Sequence, residues 1–306
     1  MSAPGLSPAP GTPSTPGAPP TPDTSPAALA TCLLCGRRGG HRSVLGGVLW
    51  RCGSCAFSWT AADSPPPVEL YDESYFQGEG YEDYFLSGPR RFESGRRLRW
   101  LLSVARPSSL VEAGSAGGFF VEAARGVGIA AEGVEVSESA ARFARERLGV
   151  PVRVGCFEVV APVRSVEAVC AFHVLEHVEE PREFLRAARD ALVPGGWLAL
   201  EVPNIASAAA GRLGHAWPGL QPRYHRWHFS PESLTRLVRE CGFRIVRQDT
   251  AVFRYYMPAR YRWRHLHHLL PADLVGIRSP RLTHPRLGDL LRVVAQLPTS
   301  TRRRTS

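Results

Sequence analysis

The sequence predicts an α/β fold, a doubly wound, mostly parallel sheet of seven strands preceded by a small four-cysteine module. Three observations predict it. Apolar runs of strand length alternate with amphipathic stretches from about residue 107 onward. The first run, Leu110-Val111, ends in an acid and a loop of small residues, Glu112-Ala-Gly-Ser-Ala-Gly-Gly118. Two Cys-x-x-Cys pairs, Cys32/Cys35 and Cys52/Cys55, stand upstream, separated by a hairpin-like run from Val44 to Trp50.

Taken in order, residues 1–29 are rich in Pro, Ser and Thr and carry too little apolar surface to offset ordering entropy, so disorder is expected there. Residues 30–62 form the cysteine module. The spacing matches a zinc ribbon in which each knuckle sets two thiolates on one turn; a closed four-thiolate site leaves no place for water, making the zinc structural. Disulfides are the alternative, and they fit poorly with a chain lacking a secretory signal. Cys156, Cys170 and Cys241 are scattered singly and read as core residues. Residues 63–106 comprise an aromatic linker (Tyr71 to Phe85), read as padding or a lid, and a lead-in helix from Arg90 to Val104.

The main domain spans 107–298. After the glycine loop, Phe119 to Ala124 starts a helix, and Gly128 to Val134 is a second strand ending in Glu135. Ser137 caps the next helix, which runs through Leu148. Val152 to Val154 and Val166 to Phe172 are the third and fourth strands. Pro181 opens a helix expected to stop at Pro194-Gly195-Gly196, and Trp197 to Val202 is the fifth strand. A helix from Ser230 to Cys241 leads to a sixth strand, Phe243 to Val246, and Leu290 to Ala295 supplies a seventh.

Charge excludes a basic body. The formal net charge is +9, but residues 257–306 hold ten Arg against two Asp, so the remainder is near neutral. Adhesion to acidic lipid or another anion would have to come from the Arg/His-rich insertion 254–286 or the basic tail 299–306. No apolar run is long enough to span a bilayer, and a cytoplasmic protein is expected.

A glycine loop followed by a second-strand acid suits a nucleoside ligand. The dinucleotide pattern Gly-x-Gly-x-x-Gly is absent, and Glu112 would repel a pyrophosphate. A carboxylate there suits a cationic, phosphate-free ligand. With Glu112 to Gly118, Gly133-Val-Glu135, Val174-Leu-Glu-His177, Leu192-Val-Pro-Gly-Gly196, Glu201-Val-Pro-Asn204 and His228-Phe-Ser-Pro-Glu-Ser-Leu234, the chain from Leu110 to Phe243 resembles class I S-adenosylmethionine-dependent methyltransferases. It is most similar to the group containing the ubiquinone-type O-methyltransferases.

The resemblance implies a Rossmann-like sheet, S-adenosylmethionine as cofactor and a small-molecule methyl acceptor, with O-methylation the expected reaction. It places Glu112 and the backbone of Gly114, Ser115, Ala116 and Gly118 at the methionine part of the cofactor. Glu135 is implied at the ribose, Cys156 and Phe157 at the adenine, and Phe172 near the sulfonium. The family usually has Gly where Ala116 stands, so a methyl group sits where close backbone approach is expected. His225, His173 and His228, in that order, are the candidates for a base taking the acceptor's proton. Glu176 and His177 are read as a turn cap and a satisfied structural histidine; the competing reading gives them, with His173, to a divalent metal. An RNA methyltransferase and a non-catalytic binder are the other functional readings. The neutral main domain and the lack of an Asn/Asp-Pro-Pro-Tyr motif argue against RNA.

Overall fold

The computed structural model describes residues 31–39, 41–60, 87–251 and 288–299. The expected disordered tail, the aromatic segment 71–85, the insertion 254–286 and residues 300–306 lie outside the described residues.

The main sheet is built from β4 (Ser109–Ala113), β5 (Ala130–Glu135), β6 (Val152–Val154), β7 (Val166–Phe172), β8 (Leu192–Pro203), β10 (Arg244–Ala251) and β11 (Leu290–Gln296). Their order is β10-β11-β8-β7-β4-β5-β6. The pairs β4/β5, β5/β6, β4/β7 and β7/β8 are parallel, while β11 runs antiparallel to both its neighbours. The chain leaves β4 toward one edge through β5 and β6, then starts again on the other side with β7 and β8. Connections therefore diverge above the carboxyl ends of β4 and β7, which opens a crevice there.

Strands buried on both faces need helices on both faces. On one side lie α1 (Ser87–Leu102), α2 (Phe119–Arg125) and α3 (Glu138–Leu148), sharing a core with Leu110, Ala131, Cys170 and Val294. On the other, α4 (Phe157–Val160), α5 (Pro181–Ala191) and α7 (Pro231–Glu240) bury Phe157, Phe184, Leu185, Leu234 and Leu237 against Val111, Val169 and Leu200. Local chemistry sets the helix ends. The Ser137 hydroxyl accepts from Ala140 N–H to open α3, and Ser230 and Ser233 form a reciprocal capping box ahead of α7. Helix α5 ends at Ala191, earlier than the Pro-Gly-Gly signal predicts, because Leu192 already pairs with Val166 and begins β8. β10 is twice the predicted length; it pairs with β11 from Arg244 to Ala251, through a polar stretch that carries no strand pattern of its own.

The cysteine module is not a separate bead. Strands β1 (His41–Val44), β2 (Leu49–Cys52) and β3 (Ser58–Thr60) form an antiparallel sheet whose fourth member is β9 (Trp227–His228), from the main domain. Cys32, Leu34, Cys52 and Phe57 belong to the same buried cluster as α5 and α7. Between β8 and β9 lie a short helix, α6 (Ala208–Leu213), and a 3₁₀ turn, Gly214–Ala216. No helix among the described residues is long and apolar enough to cross a membrane.

The far end of β8 is tied down by charge. Glu201 is buried, and Arg97 of α1 donates to its Oε1 from Nε and Nη2 at 2.8 and 2.6 Å. Arg292 of β11 donates to Oε2 at 2.6 Å. Burial pushes the Glu201 carboxyl up, but the two guanidiniums and then His173 hold it well below the usual carboxylate range. Replacing this anion by an amide would strip Arg292 of its paired carboxylate and leave Arg97 with the longer Glu93 contact at 3.4 Å. Glu201→Gln is therefore expected to cost about 3–5 kcal/mol in urea unfolding; a loss under about 1 kcal/mol, the exposed-pair value, would contradict the assignment.

Candidate active site

The glycine loop wraps the end of β4. Ser115 N–H donates to Val134 C=O at 3.0 Å and Gly118 N–H to Ser115 C=O at 2.8 Å, a tight turn between strand and helix. Gly114 adopts φ +66°, and a Cβ there would stand 2.5 Å from a Val174 methyl, so only glycine lets the β7 exit close over the loop. Ala116 also lies in the left-handed region, at φ 45°, where its methyl is strained.

Two acids line this turn. Glu135, at the end of β5, accepts from Ala116 N–H (2.7 Å) with one oxygen and from Ser137 N–H (2.9 Å) with the other. Burial raises its carboxyl, and those amides pull it partly back. Each oxygen keeps a lone pair for a hydroxyl, so a ribose could join without breaking either bond. Glu112 differs. It is buried, and its Oε2 meets no hydrogen-bond partner. Burial pushes its carboxyl well above the usual range, against the pull of Arg97, with Glu135 adding to the rise. The Ser115 hydroxyl is likewise buried without a partner. A buried carboxylate oxygen left open beside a loop pinched by glycine fits the ammonium or sulfonium of S-adenosylmethionine and repels a phosphate. The residues present fit that group.

At the β7 exit, the Phe172 ring packs edge-on against Phe120 at 4.8 Å, with the Arg97 guanidinium over it at 4.8 Å. At the turn after β6, where the resemblance puts the adenine, the structure corrects one expectation and qualifies another. Cys156 is exposed, unlike the buried Cys170 and Cys241, so it is not a core residue. Phe157 turns its ring into the core against Phe184 at 5.2 Å, leaving its backbone and the side chains of Cys156 and Glu158 at the rim.

The three histidines separate sharply. His173 takes φ 59° as β7 ends, with Nδ1 3.1 Å from Glu176 Oε1 and Nε2 3.5 Å from Glu201 Oε1. Burial alone would lower its pKa; the two carboxylates override this and lift it to about 9. An imidazolium cannot accept a proton, so His173 is no base at neutral pH. His228 sits on β9 with Nε2 2.9 Å from Thr60 Oγ1, and burial lowers its pKa to about 3. It is a structural strand residue. His225 keeps the role open: burial first, then His177 and His228, hold it well below the ordinary value. It is neutral, and its Nδ1 lies 3.0 Å from Gly219 C=O. That bond requires a proton on Nδ1 and makes Nε2 the lone-pair nitrogen.

His177 is arranged alike, with Nδ1 3.1 Å from Tyr224 C=O and its pKa lowered by burial. Its ring meets His225 edge-on at 4.6 Å. Glu176 does not act as a turn cap; one oxygen meets His173 and the other, buried, has no hydrogen-bond partner. One ligand atom each from Glu176, His177 and His225 lies within 4.8 Å of the other two, a set able to hold a divalent cation; a cation there would take the same His225 Nε2 lone pair that a base would use, so the two roles exclude each other. His225 thus replaces His173 in the trio expected from the local motif.

In the cysteine module all four sulfurs lie within 4.8 Å of one another, with Cys32–Cys55 and Cys35–Cys52 at 3.6 Å. A zinc tetrathiolate with Zn–S near 2.3 Å has sulfur–sulfur edges of about 3.8 Å, whereas a disulfide needs about 2.05 Å. Burial opposes ionisation at Cys52, yet the amides of Cys55 and Ser54 bring it to about 6, while burial raises Cys32 and Cys55. Four clustered thiols of this kind fit a metal that would take up their negative charge.

The sequence did not reveal Arg97, Arg292 or Thr60 as site-shaping residues. Glu201 stood in a recognised motif, but its role came from partners 104 and 91 positions away.

Residues 89–248 match the model of the methyltransferase-domain family. With that match covering more than half the chain, this protein belongs to the family, and fold and site together define an S-adenosylmethionine-dependent methyltransferase. Among relatives, the ubiquinone biosynthesis O-methyltransferase of Thiobacillus denitrificans is 28% identical over 162 residues, covering 48% of this chain and 69% of the relative. The enzyme of that name from Methylobacterium sp. is 34% identical over 167 residues, 51% and 66% respectively. In structure, an S-adenosylmethionine-dependent methyltransferase from Archaeoglobus fulgidus superposes with a TM-score of 0.52 at 18% identity, covering 73% of this chain and all of the other. A chain from the Haloferax volcanii complex of a methyltransferase with the Trm112 activator gives 0.54 at 19%, covering 74% and 97%. These likenesses confirm the seven-stranded fold.

The histidine environments set opposite pH dependences. His228 and His225 are held neutral, so their stability contribution is full above the unfolded value near 6.5 and is lost as pH falls, for His228 toward about 3. His173 is held protonated, and its contribution is present below about 6.5 and lost as pH rises through about 9. Urea unfolding at pH 5, 7 and 9 is expected to show losses on both sides. His228→Gln should flatten the acid side alone; an unchanged acid slope would refute the assignment.

Proposed function

We propose that this methyltransferase transfers its methyl group to an oxygen of a small-molecule acceptor. The observation that carries the reading is the open, buried Glu112 oxygen beside the Gly114–Gly118 turn, which supports a cationic donor without phosphate. In this reading Glu112, Ser115 and the loop backbone hold the methionine end, Glu135 the ribose, Cys156 and the backbone at Phe157 the adenine rim, and Phe172 walls the sulfonium. The donor supplies a methyl carbon on a sulfonium, able to accept an oxygen lone pair while the C–S electrons leave on sulfur.

The protein's own part is mainly positioning and exclusion of water. His225 stands after β8, on the side where acceptors enter above the sheet's carboxyl edge. Its Nε2 receives the acceptor hydroxyl's proton as that oxygen takes the methyl group. The O-methyltransferase activity for which the relatives are named supports oxygen as the acceptor atom. The near-neutral charge outside residues 257–306 supports a small molecule over nucleic acid. We further read Cys32, Cys35, Cys52 and Cys55 as ligands of a structural zinc in module 30–62, joined to a methyltransferase domain spanning 107–298. Unlinked thiols support a reducing, cytoplasmic setting.

The test is a screen of hydroxyl-bearing small molecules for S-adenosylhomocysteine release, with Glu135→Ala as the inactive control. Turnover with at least one such compound is expected, and His225→Ala should lower kcat by about 10²–10⁴-fold. Turnover only with RNA or with amines would overturn the reading.

A further inference from the structure

The chain between β8 and α7 makes a long excursion, residues 204–229, that carries His225. Its outer side is gripped by the cysteine module. β9 pairs with β3, Ser58 opposite His228 and Trp59 opposite Trp227. Thr60 N–H donates to Arg226 C=O at 2.9 Å, and its hydroxyl donates to His225 C=O. With its single proton so used, that hydroxyl accepts from His228 Nε2–H. Phe57 stacks on Trp227 at 5.9 Å and meets Phe229 at 5.7 Å. Farther out, Leu49 and the β1–β2 turn share a buried cluster with Ala210, Trp217 and Leu220.

The inner side of the excursion rests on the β7 exit. Arg226 and Trp227 N–H groups donate to Glu176 C=O at 2.9 and 3.1 Å, and Trp227 Nε1–H to Val178 C=O at 2.8 Å. The second cysteine knuckle leads directly into the gripping residues: Phe57 C=O accepts from Cys52 N–H at 2.9 Å, two residues beyond Cys55. By contrast, the glycine loop and Glu135 bond to β5 and the start of α3.

We propose that the four-cysteine module is the scaffold of the acceptor-side wall, with Phe57 and Thr60 as positioning residues that set His225, so that metal loading of the four thiolates governs the acceptor side and leaves the donor side alone. The inference deepens the reading of His225 given above and rests on it. A knuckle without its metal loses the turn that aims Phe57 and β3, and the wall loses its strand partner.

Hydrogen exchange followed by mass spectrometry on the full, zinc-loaded chain tests it, beside chelator-stripped protein, Thr60→Val and Thr60→Ser. Stripping or Thr60→Val is expected to speed exchange in peptides covering 224–229 by at least about tenfold, the net worth of one buried hydrogen bond where the valine removes two, with Thr60→Ser restoring protection. Peptides covering 109–118 should not change, and S-adenosylhomocysteine affinity by calorimetry should stay within about twofold, as for independent sites. Unchanged exchange at 224–229, or equal acceleration across the chain, overturns the proposal, as does a parallel loss of S-adenosylhomocysteine affinity. Should Thr60→Val not fold, the stripped wild type alone decides between the same outcomes. Failure of the parent reading would show separately, as loaded wild type that releases no S-adenosylhomocysteine with any hydroxyl compound.

Discussion

A carboxylate buried at the end of β4, with one oxygen that meets no hydrogen-bond partner, is the constraint on which this structure turns. Burying an unpaired anion is costly, and folded proteins ordinarily avoid it or neutralise the group. Burial raises the Glu112 carboxyl in the free protein, and in the reading proposed above it ionises when a cationic ligand completes the crevice. The neighbouring features follow. Gly114 lets the β7 exit lie close, Glu135 ties the loop to β5, and Phe172 closes one side with an aromatic face.

The same crevice floor holds an ordered ion system. Glu201 draws Arg97, Arg292 and His173 together from α1, β11 and the β7 exit. Arg97 then reaches toward Glu112 and Phe172, so the lead-in helix is part of the site's electrostatics as well as of its core. His173 becomes a fixed cation in this system. His225, surrounded by other imidazoles and by carbonyls, becomes a fixed neutral base. Burial lowers the pKa of both histidines; at His173 the Glu176 and Glu201 carboxylates override it, whereas at His225 neighbouring His177 and His228 add to it.

The strand, glycine turn and helix around Glu112 were legible in the sequence because they are local. A strand, an acid and a small-residue turn occupy seven consecutive positions, Glu112 to Gly118, and Glu135 lies at the end of the next strand. The clustering of the four cysteines was legible for the same reason, as two knuckles of fixed spacing. The acceptor side was not. β3 has three residues and β9 two, too short for any period, and they pair with Ser58 opposite His228, while the Thr60 and His228 side chains meet across 168 positions. His228 therefore reads as a candidate base until its strand partner is seen, and His173 until Glu201 is brought beside it. Cys156 reads as a core cysteine when taken singly, whereas the resemblance that puts it at the adenine agrees with its exposure. Helix α5 stops short of its Pro-Gly-Gly punctuation because a tertiary partner for Leu192 outweighs the local signal.

We read Glu112 as the partner of an incoming positive charge. Its carboxyl is raised by burial in the free protein, so an arriving ammonium should lower it and expel a proton. Calorimetry of S-adenosylhomocysteine binding across the acidic and neutral pH range, repeated in buffers of different ionisation enthalpy, measures that proton directly. Net proton release is predicted for the wild type, with weaker binding and no release for Glu112→Gln. Binding without release, or equal affinity in the variant, would contradict the account.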